Sequence, residues 1–277
     1  MNQKPRAVIL NLFGDYLRYA QGEARLGELV TLLGAFGMEP AAVRVTLSRL
    51  RKEGWFTTRR EGRETVYVLS PRMMQILVEG RKRIFQRAEE PWAGRWTMVI
   101  YQVPEANRAV RETLRRELAW LGFGQLSPST WMAAQPRFDE AKALAAETGE
   151  ASIDVLWASS GSLAEDRRLA ARCWDLAALD ADYRAFIQRY SPLDDAPANA
   201  ARPGHEAMVE RTMLVGDARG LAFSDPLLPL ELQPDGWLGR DAYELFRRVH
   251  AQLAGPANAY VDEVIGGRFA ATPPLGV

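Results

Sequence analysis

Metal-ligating and redox side chains are scarce in this sequence: its 277 residues include one cysteine, Cys173, and two histidines, His205 and His250. A lone cysteine makes no intramolecular disulfide, and its setting in the apolar helical pattern "RRLAARCWDLAAL" reads as a small buried side chain. Three such residues in distant segments do not supply the closely spaced ligand pairs of a zinc site, so neither a metal nor a resident cofactor is expected. The histidines also give no nucleophile–base arrangement. His205 falls in a segment read as loop, and His250 in "FRRVHAQL", where a helix C-terminal cation or a partly buried ring is the ordinary explanation. Net charge is lacking too, since 35 Lys and Arg balance 35 Asp and Glu; attraction for a charged partner must then come from uneven distribution. Long apolar runs are missing: "MNQKPRAVILNLFGDYLRYA" is broken by Asn11, Gly14 and Asp15 and reads as neither signal peptide nor membrane span, so a cytoplasmic protein is expected. Internal repeats and low-complexity tracts are absent. What remains, 47% hydrophobic and 25% charged residues, is the balance of a globular protein, long enough for two or three domains.

Periodicity divides the chain into three segments, together an α+β protein. In residues 1–86, helical spacing after Pro5, the amphipathic "GELVTLLGAF" and a third helix opened by Pro40 precede a change to period two. There "WFTTRR" and "ETVYVL" are β-prone runs joined through Glu61, Gly62 and Arg63, a hairpin signal. Helix "RMMQILVEGRKRIF" follows. Three helices and a two-stranded hairpin make the winged variant of the helix-turn-helix plan. Proline, glycine and charge in "QRAEEPWAGRW" mark a boundary, and residues 80–95 are the expected moving joint. Residues 87–163 read strand, helix, two strands around Pro128, helix, strand, the βαββαβ order of a ferredoxin-like sandwich. Residues 164–277 read as helices punctuated by proline, an expected effector or dimerisation region; "PLDDAPANAARPG", residues 192–204, is the expected surface loop.

The third helix carries the clearest chemistry. At 100° per residue, Val43, Leu47 and Leu50 share one side. Opposite lie Ala41, Arg44, Val45, Ser48, Arg49 and Lys52. Arginine can bond guanine O6 and N7 bidentately, serine can donate or accept, and a small apolar side chain can meet a thymine methyl. From residue 40 to 63 there are seven basic residues and two acidic ones, a local +5 in a neutral chain. That concentration suits a phosphate backbone better than an ordinary solvated face. Expected DNA contacts are Arg44, Val45, Ser48, Arg49, Arg51, Lys52, Arg59, Arg60 and Arg63: Arg44, Ser48 and Lys52 toward base edges, and the hairpin arginines on phosphate or in the minor groove.

Specific strings extend this reading. "LFGDY", "AVRVTLSRLRKEGW", "GRETVYVL", "WAGRWTMVIYQVPE", "LRRELAWLGFGQLSPSTW" and "FSDPLLPLELQPDGWLGRDAYELF" occur in order along almost the whole chain and resemble the PaaX family of bacterial transcriptional repressors. The resemblance implies a homodimeric repressor of aromatic catabolism genes of the phenylacetate type. It would bind an imperfectly palindromic double-stranded DNA operator and be released by an aryl-acyl-CoA effector such as phenylacetyl-CoA. The family pattern of a histidine, an aromatic and paired arginines before "DPLLP" is not kept here, where Gly216, Asp217, Ala218, Arg219 and Gly220 stand; only Arg219 retains basic character, which leaves the effector's identity open.

A CoA thioester needs cations beside an apolar cavity, and Arg108, Arg111, Arg115 and Arg219 are the expected effector contacts, although an arginine-studded helix is ordinarily a solvated face. Trp96, Trp120, Trp131 and Trp157 read as core or interface filling before they read as an aryl pocket. Two alternatives stand beside the repressor. The βαββαβ order resembles that of small CRISPR-associated metal-dependent nucleases, but "VIYQVPE" offers Tyr101 and Gln102 where those enzymes hold a metal-binding aspartate, so no catalytic residue and no enzyme is expected. A winged helix can instead serve only to dock a protein, with "GRKRIFQRAEEPW" as partner surface.

Overall fold

The computed structural model describes residues 4–87, 91–148, 152–195 and 202–269. They form two compact units. One comprises Met1–Gln86, Phe186–Gly220 and Asp241–Val277; the other comprises Arg87–Ala185 and Leu221–Arg240. Residues 164–277, expected as one helical region, contribute to both.

The chain opens with α1 (Pro5–Asp15), β1 (Glu23–Arg25), α2 (Leu26–Gly34), α3 (Pro40–Lys52), β2 (Phe56–Glu61), β3 (Glu64–Leu69) and α4 (Pro71–Phe85). Proline begins α1, α3 and α4, where its fixed φ suits the first turn and its missing N–H leaves no intrahelical bond unmade. Ser70 Oγ caps α4 by accepting from the Met73 N–H at 3.2 Å, satisfying one of the first-turn donors. The β2–β3 turn is Gly62–Arg63; Gly62 takes φ +61°, a value that two-residue hairpin turns favour and a side chain resists. The sheet is three-stranded, in the order β1-β3-β2 and antiparallel. The sequence reading expected two strands; β1 pairs through only three residues, too few to show alternation. Ile9, Leu12, Phe13, Leu29, Leu33, Val43, Leu47, Leu50 and Phe56 bury together, with the Phe13 and Phe56 rings 4.8 Å apart.

Next come β4 (Trp96–Gln102), α5 (Arg108–Trp120), β5 (Gly124–Ser127), β6 (Thr130–Ala133), α6 (Phe138–Glu147), β7 (Ser152–Ala158) and α7 (Leu163–Cys173). Sheet order β5-β6-β4-β7, all neighbours antiparallel, is the ferredoxin-like arrangement expected from the βαββαβ pattern. Alternation along β4 sends Val99 and Tyr101 to one face, packed with Trp131, Val155, Leu114 and Leu118. It sends Trp96 to the other, packed with Met132, Ala170, Leu228 and Leu232. Trp96 and Trp131 are core, and Trp96 Nε1 donates to Asp166 Oδ1 at 2.7 Å. Trp120 and Trp157 are instead exposed over two-fifths of their surface. Trp157 lies on the edge strand β7, flat against Phe138 at 4.9 Å, with the Arg95 guanidinium 4.2 Å from its ring centre. Cys173 is half-buried and burial pushes its thiol pKa up to about 11, so it stays a thiol at neutral pH.

The remaining helices are α8 (Leu176–Asp194), α9 (Gly204–Ser224), α10 (Gly239–Gln252) and α11 (Ala254–Val264). Of the expected loop at 192–204, residues 196–201 lie outside the described residues, as do 88–90 of the expected joint, while residues 192–194 close α8 and Gly204 opens α9 instead of belonging to a loop. His205, expected in that loop, stands in the first turn of α9. In the second unit, Asp225 of "SDPLLP" accepts from Tyr183 Oη at 2.6 Å and pairs with Arg87 at 2.5 Å. In the first unit, α1 is fastened to the C-terminal helices through a buried polar cluster. Asp15 Oδ2 is 3.2 Å from Arg211 Nη1, and Asp15 Oδ1 is 3.0 Å from His250 Nε2. Arg211 also donates to the His250 carbonyl at 3.2 Å and to Asn258 Oδ1 at 3.0 Å. Burial alone would raise the Asp15 carboxyl, but Arg211, then His250 and Arg81, outweigh it and hold Asp15 far below the ordinary carboxylate range. His250 is only 2% exposed. Burial depresses its pKa more than Asp15 raises it, so it is a neutral ring donating from Nε2, not the helix-terminal cation or partly buried ring expected from sequence.

Candidate nucleic-acid interface and ligand pocket

Helix α3 turns Val43, Leu47 and Leu50 into the core, which leaves Arg44, Val45, Arg49, Arg51 and Lys52 exposed and Ser48 half-exposed. Val45 is 70% exposed, a β-branched apolar side chain kept on an otherwise polar face. Folding divides the nine residues nominated for DNA. Arg49 Nε donates to Glu53 at 3.0 Å, and Glu53 also holds Arg6 at 2.7 Å. Arg59 is shared by Glu23 at 2.8 Å and Glu61 at 2.9 Å, and Glu61 also takes Arg25 at 2.9 Å. Arg60 Nη1 reaches Thr65 Oγ1 at 3.4 Å and the Arg63 carbonyl at 3.5 Å. The side chains of Arg44, Ser48, Arg51, Lys52 and Arg63 have no ion-pair or hydrogen-bond partner among the described residues. These are the donors already available to phosphate or base edges. The pairs of Arg49 and Arg59 are exposed to water and therefore weak, so a phosphate can displace their carboxylates. Sequence reasoning missed the part played by Glu23 and Arg25. They stand 36 residues from Arg59 and Glu61 respectively, and only the β1–β3 pairing brings them to the hairpin.

The effector residues are divided as well. A cavity of about 650 Å³ at the end of β4 is lined by Tyr101, Gln102, Pro104, Arg111, Arg115 and Ser129 among others. Arg108 begins the same helix but does not line it. Arg219 belongs to the other compact unit, on α9, where burial lowers its pKa with no ion-pair partner among the described residues. Its neighbour Asp217 accepts from Tyr190 Oη at 2.8 Å, which gives the departed "GDARG" segment a packing role. Tyr101 Oη donates to the Pro128 carbonyl at 2.9 Å and accepts from Arg115 Nε at 3.1 Å. β4 thus ends in Tyr101 and Gln102, and Glu105, one turn later, gives its carboxylate to Arg111 at 3.0 Å. That donor set is cationic and hydroxylic, suited to holding an anion and ill suited to coordinating a divalent metal.

Among the described residues no helix is long and apolar enough to cross a membrane. Family models match three successive stretches: "PaaX-like protein" over residues 4–73, "PaaX protein central Cas2-like domain" over 89–170 and "PaaX-like protein C-terminal domain" over 174–263. Uncharacterized protein Rv0674 from Mycobacterium tuberculosis superposes with a TM-score of 0.57 over 84% of this chain and 89% of its own, at 23% identity, a likeness of fold. Transcriptional repressor PaaX of Escherichia coli (strain K12) is 33% identical over 267 residues, spanning 93% of this chain and 83% of that protein. With three consecutive models and a relative of that identity along nearly its full length, the chain belongs to the PaaX family.

Proposed function

We propose that this protein is a sequence-specific DNA-binding transcriptional repressor of aromatic, phenylacetate-type catabolism genes. An aryl-acyl-CoA such as phenylacetyl-CoA would release it from its operator. The observation that carries the DNA reading is the exposed face of α3, on which the side chains of Arg44, Ser48 and Lys52 have no ion-pair or hydrogen-bond partner among the described residues. Arg44, Ser48 and Lys52 lie at helical spacing around an exposed Val45, beside a hairpin whose turn holds Arg63, unpaired among the described residues. A helix of that composition fits the major groove, with arginine and serine on base edges and valine against a thymine methyl. Arg59, Arg60 and Arg63 then take phosphate or the adjacent minor groove. As a homodimer the protein would present two such helices to half-sites of an imperfect palindrome, separated by whole turns of about 34 Å. The similarity to Transcriptional repressor PaaX of Escherichia coli supports repression.

Fluorescence anisotropy on DNA from upstream of the protein's own gene, at two salt concentrations, tests the reading. Tight, salt-sensitive binding that discriminates against a scrambled duplex and is relieved by phenylacetyl-CoA is the expected result. Equal binding to both duplexes removes the sequence-specific repressor and leaves the docking module.

A further inference from the structure

We propose that the pocket at the end of β4 is an anion site, built to take the phosphate groups of a phosphorylated small molecule between Arg111 and Arg115. The inference deepens the effector reading above and rests on it for the ligand, but not for the pocket. Two guanidiniums one helical turn apart on α5 share its wall with the hydroxyl-bearing Tyr101, Ser129 and Ser152 and with the Gln102 amide, while Val103, Pro104 and Pro128 supply apolar surface. At about 650 Å³ it lies within the roughly 300–1,000 Å³ of small-molecule sites.

Arg115 is held in place before any ligand arrives. Its Nε donates to Tyr101 Oη at 3.1 Å and its Nη2 to the Pro128 carbonyl at 3.4 Å, and Tyr101 is itself buried. Those bonds use two of the five guanidinium donors and leave the others for an anion. Its one carboxylate neighbour among the described residues, Glu112, is 3.6 Å away and exposed. Arg111 is tied to Glu105, whose side chain is 90% exposed, and so exposed a pair is weak. A phosphate that bonds both guanidiniums with two parallel bonds each is stronger, so it displaces Glu105. One arginine is thus preorganised and the second released from a weak partner, as anion capture requires.

The test is isothermal titration calorimetry of the full chain with coenzyme A, inorganic pyrophosphate and pantetheine, which lacks the phosphates. Coenzyme A and pyrophosphate are expected to bind, and pantetheine to bind at least about tenfold more weakly, the scale of one lost charged hydrogen bond. Arg111→Glu and Ser129→Asp each place a carboxylate in the pocket while leaving the Arg115–Tyr101–Pro128 bonds intact. Each is expected to weaken coenzyme A by about 10- to 100-fold with an unchanged melting temperature. Coenzyme A binding that survives both variants, or failure of the wild-type chain to bind either phosphate ligand, would overturn the site. Operator binding of the wild-type chain is read separately. DNA binding without coenzyme A binding removes the pocket and keeps the repressor, whereas the reverse keeps the pocket and removes the repressor.

Discussion

Asparagine at position 15 would keep the shape of the aspartate and delete the charge that faces Arg211 at 3.2 Å, His250 at 3.0 Å and Arg81 at 3.9 Å. The Arg211 side chain is only 2% exposed, so water cannot take over the lost partner. Removing one member of a buried pair costs about 3–5 kcal/mol, because the survivor stays desolvated and uncompensated. Deleting Glu53 from its exposed pair with Arg49 should cost no more than about 1 kcal/mol. Since a domain's entire stability is about 5–15 kcal/mol, Asp15→Asn removes a large share of it. With a urea dependence of about 2 kcal/mol per molar, the unfolding midpoint of the full chain should fall by about 1.5–2.5 M. Far-ultraviolet circular dichroism during urea titration reads this directly. The double variant Asp15→Leu, Arg211→Met, which removes both charges, should recover much of the loss, as buried pairs replaced by apolar residues commonly do. A midpoint shift in Asp15→Asn no larger than that of Glu53→Gln would refute the claim that a buried ion cluster fastens α1 to α9 and α10.

The same cluster predicts acid sensitivity. The folded state holds His250 below its ordinary value of 6.5, so its contribution is complete above 6.5 and is lost as pH falls from there through the depressed value, by up to about 1.4 kcal/mol per pH unit. Stability against pH for the wild type and His250→Gln checks this; parallel curves below neutrality would contradict it. On DNA, Arg63→Ala should weaken all sequences alike and lower the slope of log affinity against log salt by about 1, whereas Arg59→Ala should lower it less, because Glu23 and Glu61 already neutralise that guanidinium. Matched salt titrations decide between them, and equal slopes for the two variants would count against the difference in pairing. Val45→Ser should cost about 1–3 kcal/mol at a single base pair and little elsewhere, which competition against single-base variants of the operator would reveal; a uniform loss would place Val45 off the groove.

Much of the architecture was legible because it is local. Prolines at helix starts, the switch from helical spacing to alternation at Trp55, and the βαββαβ order all follow from short-range sterics and burial, and the elements lie where those patterns place them. The core side of α3 was legible for the same reason, since Val43, Leu47 and Leu50 fall together on any helix of that sequence. Strand β1 was not, because three residues carry no period. His250 was misjudged because its character depends on Asp15, 235 residues away; no local pattern announces that a histidine will be buried against a carboxylate already paired with an arginine.

The sequence by itself therefore determined the succession of elements, the concentration of positive charge between Pro40 and Arg63 and the composition of the face that α3 presents, all properties of neighbours along one chain. Tertiary structure alone decided which of those charges are free. Pairing of β1 with β3 sets Glu23 and Arg25 beside the hairpin, so Arg59 is neutralised, while Arg63 has no carboxylate partner among the described residues. Closure of β4 against the β5–β6 turn sets Arg115 on Tyr101 and so makes a pocket out of what the chain shows only as an arginine-studded helix. Ionic availability depends on distances between residues far apart in sequence, and only folding fixes those.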